Sequence, residues 1–120
     1  MGLFKGFPVT GTSSENLATS ASSGGGATAI VTLAAGTTGK TSYLTEAVWS
    51  YSTTPETGGL NVYSGTSSGA LMFSVDITAS GPDGMLFSPL SAALGDAVTV
   101  ELLQAGSSIT GKLNAYGYNA

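Results

Sequence analysis

Residues 34–41, AAGTTGKT, fit a relaxed phosphate-loop pattern: a small residue, four of any type, then Gly-Lys-Thr. Such a loop holds a nucleotide because glycine-rich backbone N–H groups wrap the phosphates, the lysine reaches the terminal ones and the hydroxyl binds magnesium. It must also leave a buried strand and open a helix, whose N-terminal dipole faces the anion. Behind Lys40 the chain instead reads TSYLTEAVWSYS, rich in Thr, Tyr, Val and Trp and alternating with period two, which is a strand pattern. The first position is Ala34 rather than glycine, and no βαβ pattern follows. Asp76, at the end of LMFSVD, is only a weak match to a magnesium-binding strand end, because Ser74 and Asp76 alternate with Phe73 and Val75. The stretch therefore reads as a Gly/Thr-rich turn between two strands, and no cofactor is expected.

Other chemistry has few residues to work with. There is no histidine, which removes the usual general base, proton shuttle and metal ligand, and no cysteine, which removes disulfides and thiolate metal sites. Seven acidic residues remain: Glu15, Glu46, Glu56, Asp76, Asp83, Asp96 and Glu101. A glycosidase needs two carboxylates flanking a bond, and Asp76 with Glu101 or Glu46 would have to converge on one outer face; ordinary solvent-facing strand residues are the simpler reading. Calcium needs several loop oxygens, and residues 82–84, PDG, supply one carboxylate. Neither catalysis nor a metal is expected.

Aromatic residues offer binding rather than bond-making. Trp49, Tyr51, Tyr63, Tyr116 and Tyr118 suit a stacking platform for sugar rings, so a glycan is a possible ligand. They suit equally the filling of a core or a subunit interface, where large rings carry much of the binding energy, and the residue pattern favours this second use.

The elements that position these residues follow from the hydropathy pattern. At 120 residues the chain is long enough for one domain with a real core. From residue 27 onward short β-like runs alternate with turn signals, as in a sandwich or barrel. The runs are ATAIVTL, SYLTEAVWSYS, LNVYS, ALMFSVDIT, MLFSPL, AVTVELL and ITGKLNAYGYNA. In the second, Tyr43, Ala47, Trp49 and Tyr51 share one face, opposite a wetter face of Leu44, Glu46, Val48 and Ser50. In the fourth, Leu71, Phe73, Val75 and Ile77 point inward. In the sixth, Val98, Val100 and Leu102 point inward, and in the last Leu113, Ala115 and Gly117 lie opposite Lys112, Asn114, Tyr116 and Tyr118. SGPDG is a turn, Pro89 confines its strand to an edge or ends it, and SPLSAALG is the best helical signal, a single turn. The expected fold is an all-β antiparallel sandwich, jelly-roll-like, of seven or eight strands over residues 27–120.

Residues 1–26 read differently. Residues 10–26, TGTSSENLATSASSGGG, bury almost nothing and do not offset their own ordering entropy, so they read as a flexible tether. Before them Leu3, Phe4, Phe7 and Val9 form a short apolar cluster, either an anchor for a partner or a segment that tucks onto the chain's own core. Only 8% of residues are charged, against about 25% in ordinary soluble domains. Low charge threatens solubility, and one resolution is that much of the surface is covered in an assembly. Three lysines, no arginine and a net charge of −4 supply no basic stripe for nucleic acid. No stretch approaches the roughly 20 apolar residues of a membrane span, and MGLFKGFPVTG is not a secretion-signal pattern, being broken by Lys5 and Pro8.

The segment MLFSPLSAALGDAVTVELLQAGSSITGKLNAYGYNA, together with GKTSYLTEAVWS, resembles the small β-sandwich virion proteins of tailed bacteriophages. The likeness lies in an apolar-Ser-Pro-Leu stretch, a Gly-Asp opening an alternating strand, a Gly/Ser turn and a closing strand ending in Gly-Tyr. It implies a non-enzymatic role in the virion, above all as a capsid decoration protein bound to the major capsid protein or other virion subunits as a symmetric homo-oligomer, a trimer first among them. On that reading Leu3, Phe4, Phe7, Val9, Trp49, Tyr116 and Tyr118 are the candidate partner-binding residues.

Overall fold

The computed structural model describes residues 15–36 and 38–120, of which Glu15 and Asn16 are described by their backbone alone. Eight strands run through them: β1 (Glu15–Ser22), β2 (Ala29–Leu33), β3 (Ser42–Tyr51), β4 (Gly59–Ser64), β5 (Ala70–Asp76), β6 (Asp83–Ser91), β7 (Val98–Leu102) and β8 (Gly111–Asn119). They form two four-stranded sheets, ordered β1-β8-β3-β6 and β2-β7-β4-β5. Every neighbouring pair is antiparallel. Apart from the β4–β5 connection, each link carries the chain from one sheet to the other, which is the jelly-roll arrangement of a two-sheet sandwich. Among the described residues there is no helix.

Period-two patterning makes these strands, because alternate side chains point to opposite faces and only one face meets the other sheet. In β2, Ala29, Val31 and Leu33 are buried while Ile30 and Thr32 are exposed. β8 follows the same rule, with Leu113, Ala115 and Gly117 inward and Lys112 and Tyr116 exposed, as its sequence dictates. Five leucines, at positions 33, 44, 60, 102 and 113, are inaccessible and anchor the shared core. Each contributes about 1.5–3 kcal/mol through the apolar surface it removes from water. Gly117 is there because β8 and β3 approach closely: a Cβ on it would overlap the Tyr43 carbonyl oxygen and press on Leu33.

The structure departs from the sequence reading in five places, each with a physical cause. The tract read as a tether contains β1, whose eight residues pair in unbroken register with β8. Its alternation is carried by small residues, Leu17, Thr19 and Ala21 half-buried against Ala18, Ser20 and Ser22 exposed, so hydropathy barely registers it. In β3 a bulge at Thr45 reverses the phase: Leu44 pairs with Gly117 and Glu46 with Tyr116. Leu44 is therefore buried and Tyr43 turned outward, contrary to a single unbroken alternation, whereas Ala47, Trp49 and Tyr51 do face the core. An extra residue, Met72, does the same in β5, since Val62 pairs with Phe73 but Tyr63 with Leu71. Leu71 ends 55% exposed and Met72 packs on the core in its place.

SPLSAALG forms no helical turn. Ser88 to Ser91 continue β6, and a turn closed by Asp96 N–H donating to the Ala93 carbonyl (2.9 Å) follows. β6 is an edge strand, which is where Pro89 can omit its donor at no cost. In SGPDG the bend is made by Gly81, at φ 77°, and Asp83-Gly84 already open the next strand. Asp-Gly was free to serve a strand because the left-handed residue the turn requires had been supplied two positions earlier.

Candidate functional site

The phosphate-loop-like stretch runs between β2 and β3, and β3 starts at Ser42 directly behind it. Thr41 exchanges backbone hydrogen bonds with Ala120 in both directions, N to O at 2.8 Å and 2.9 Å, so the residues after Lys40 are extended. Ser42 Oγ donates to the Ala34 carbonyl at 2.8 Å, and Asn119 Nδ2 donates to the same oxygen at 3.3 Å. These bonds tie the loop's first residue to the end of the sandwich, with no helix terminus to face an anion.

The carboxylates do not converge as a hydrolytic pair. Glu46 stands on the outer face of the β1-β8-β3-β6 sheet, so the core layer of about 10 Å separates it from Asp76 and Glu101; these two share the outer face of the other sheet with β4 between their strands, and Glu101 is buried there. Asp76 instead shares a concavity with Glu56. Glu56 and Asp76 line an open groove of about 640 Å³ at one end of the sandwich, with Thr28, Thr78 and Gln104 around them. Neither its location nor the pairing of Glu56 with Asp76 was visible in the sequence, because the groove is made by the β3–β4 loop meeting the end of β5. Among the described residues no group of three or more His, Cys, Asp or Glu is arranged to hold a metal ion.

The aromatic residues divide between core and surface. Trp49 is 6% exposed and belongs to the core. Tyr51 points inward from β3 and crosses to the opposite sheet: its hydroxyl donates to the Leu103 carbonyl at 2.7 Å and accepts from Gly59 N–H at 3.4 Å. Burial pushes the Tyr51 pKa above its ordinary value, against a smaller opposing pull from the Gly59 hydrogen bond. Tyr116 and Tyr118 stand on the outer face of β8. Tyr116 is 41% exposed, and Tyr118 stacks on Tyr43 with ring centroids 4.8 Å apart. Beside Tyr116 is a shallow depression of about 160 Å³ with Ser20 and Asn114 in its wall. Leu3, Phe4, Phe7 and Val9 lie outside the described residues.

On the other sheet, the outer face satisfies its own polar groups. Ser74 Oγ donates to Asn61 Oδ1 (2.6 Å) and Asn61 Nδ2 to the Tyr63 hydroxyl (3.3 Å), while Thr99 Oγ1 donates to the Gly65 carbonyl (2.6 Å).

The side of the sandwich between edge strands β5 and β6 is the least covered. Phe73 of β5 and Phe87 of β6 meet edge to face, centroids 5.2 Å apart, and link the two sheets there. Met72, Phe73, Val75, Met85, Phe87 and Leu90 pack on the core but stay partly exposed, since among the described residues no strand lies outside them. Leu86 is 79% exposed on the same edge. Past the Phe73–Phe87 contact a gap of about 260 Å³ opens, lined by Trp49, Val75, Thr78, Asp83 and Met85 among others. It shares Asp76, Ile77 and Thr78 with the larger groove, so the two form one concave corner.

No known sequence family matches this chain, and no curated relative matches it. Among solved structures it is similar to a chain from the work "Bacillus endospore appendages form a novel family of disulfide-linked pili", at 15% identity and TM-score 0.44, over 88% of this chain and 84% of that one. It is also similar to a chain of the infectious bursal disease virus Gx strain, at 15% identity and TM-score 0.31, over 97% of this chain and 36% of that one.

Proposed function

We propose that this protein is a non-enzymatic structural subunit of a virion, a capsid decoration protein of a tailed bacteriophage that binds the shell as a symmetric homo-oligomer. The observation that carries the reading is the β5–β6 side, where core residues remain partly uncovered and Leu71 and Leu86 face water in a chain with 8% charged residues. Such a surface suits contact with protein far better than isolation in water. The residues available for chemistry point the same way, since histidine and cysteine are missing. Many weak contacts repeated over a shell sum through avidity.

Two measurements test this. Sedimentation velocity of the purified chain should give an oligomer, a trimer by preference, and mixing it with undecorated phage particles should carry it into the pellet. A chain that remains monomeric at high concentration and stays in the supernatant with every particle refutes the reading.

A glycan-binding module is the second reading, and one specific observation favours it. Tyr116 and the Tyr43–Tyr118 stack lie on an outer face beside Ser20 and Asn114, an aromatic and amide surface of the kind that stacks on sugar rings. Because Trp49 is buried, its fluorescence is a poor reporter. Calorimetric titration with oligosaccharides, repeated on Tyr116→Ala, decides: heat that disappears in the variant supports this reading over the first.

A further inference from the structure

We infer that the gap between β5 and β6 receives residues 3–9, LFKGFPV, from a second copy of this chain. The inference rests on the assembly reading above and assigns its contact. Three observations converge on it.

The first is the fit between the gap and the segment. At about 260 Å³ the gap falls below the roughly 300 Å³ at which ligand pockets begin, but it admits an aromatic side chain. Its walls, Trp49, Val75, Ile77 and Met85, are apolar. Leu3, Phe4, Phe7 and Val9 form a dense apolar cluster in the sequence, followed by a polar stretch, TGTSS. Both β5 and β6 are edge strands, so an extended segment can add backbone hydrogen bonds to its side-chain contacts.

The second is charge. Lys5 is the one charged side chain in residues 1–14. Asp76 and Asp83 both line the gap and both are exposed. A segment seated there brings its cation to two carboxylates at the rim.

The third is distance, which keeps the whole cluster from seating in its own gap. Glu15, where the segment joins β1, pairs with Asn119, whereas Asp83 lies level with Trp49, Leu113 and Ala21 on the far edge of the same sheet. From Glu15 the gap is thus six residues along the strands, about 20 Å, and three strand spacings across, about 14 Å, hence about 25 Å in a straight line through the protein. The six steps from Val9 to Glu15 span about 20 Å when fully extended. Val9 cannot reach its own gap, and Phe7, eight steps from Glu15, reaches it only when nearly fully extended, whereas Leu3 and Phe4 are not limited by length. A neighbour whose open corner faces this chain's β1 edge takes all four apolar residues at once.

The absence of native cysteine makes the test clean. Gly6→Cys marks the segment while sparing its four apolar residues, Thr78→Cys marks the exposed rim of the gap, and Thr32→Cys on β2 is an equally exposed control. Mass-tagged Gly6→Cys is mixed with each of the other two, oxidised mildly and run on a non-reducing gel. The expected product is a mixed disulfide with Thr78→Cys well in excess of that with Thr32→Cys. Phe4→Ala with Phe7→Ala should weaken self-association about thirtyfold or more, the least that buried aromatic anchors contribute. Equal cross-linking to both partners, or a Gly6→Cys/Thr78→Cys double variant that closes only within single chains, overturns the docking. Sedimentation of the unmodified chain separates the two claims: an oligomer without the preferred cross-link sinks this inference alone, and a monomer sinks the assembly reading with it.

Discussion

Replacing Tyr51 by Phe deletes one oxygen at the point where the two sheets are tied together. The Tyr51 hydroxyl donates to the Leu103 carbonyl at 2.7 Å and accepts from Gly59 N–H at 3.4 Å, and its ring is buried. The hydrogen bond lost is worth about 1 kcal/mol net, and a desolvated carbonyl left without its donor adds up to about another 1 kcal/mol, so Tyr51→Phe should cost about 1–2 kcal/mol. With an unfolding entropy of about 2.1 cal/mol/K per residue, that lowers the Tm by about 4–8 °C. The substitution has a second signature. Burial raises the Tyr51 pKa above the ordinary 10.0. Between the unfolded and folded pKa values the folded state holds the proton that the unfolded state has released, so stability is intact below about pH 10 and falls as pH rises above it. Tyr51→Phe removes that alkaline slope. Calorimetric scans of both proteins at neutral pH and across the alkaline range read both effects. A variant whose Tm stays within a degree of the parent, with the same alkaline slope, would show that the hydroxyl is neither bonded nor desolvated as described.

Gly117→Ala should destabilise by about 2–3 kcal/mol, because its Cβ has no room against the Tyr43 carbonyl between β8 and β3; an unchanged urea midpoint would refute the close approach. Trp49→Ala should cost about 3–5 kcal/mol as a core truncation, whereas Tyr116→Ala on the outer face should fall within about 0.5 kcal/mol of the parent. Urea titration of the pair checks it, and equal costs would contradict the division of the aromatic residues. A double-mutant cycle on Tyr43 and Tyr118 should return a coupling of about 0.5–1.5 kcal/mol from their stack, with a value near zero excluding the contact in solution.

How much was legible in the sequence follows from how side chains report on backbone. In β8 Leu113, Ala115 and Gly117 alternate with Lys112, Asn114, Tyr116 and Tyr118, so strand and face could be read directly. β1 could not, because its inward positions hold Thr19 and Ala21, which bury too little to rise above a Ser-rich background. The bulges at Thr45 and Met72 were equally silent: one extra residue flips every later side chain, yet no residue type is required at the flip. Those two shifts decided the surface, turning Tyr43 out to meet Tyr118 and leaving Leu71 in water. The concave corner was illegible for another reason. It is assembled from the β3–β4 loop, the end of β5 and the start of β6, segments that nothing in the linear order brings together. The absence of histidine and cysteine, by contrast, needed only composition.

The root of β1 and the uncovered corner stand diagonally across the molecule, and that placement limits which assemblies can use both. Unless one face of each copy carries both, so that two copies exchange segments about a two-fold axis, the contact is heterologous. Each copy would then give with one corner and receive with the other, so a lone pair leaves one giver and one receiver idle. The chain of contacts is satisfied only by a closed cycle or by continuing without end, and the rotation between neighbours alone decides which.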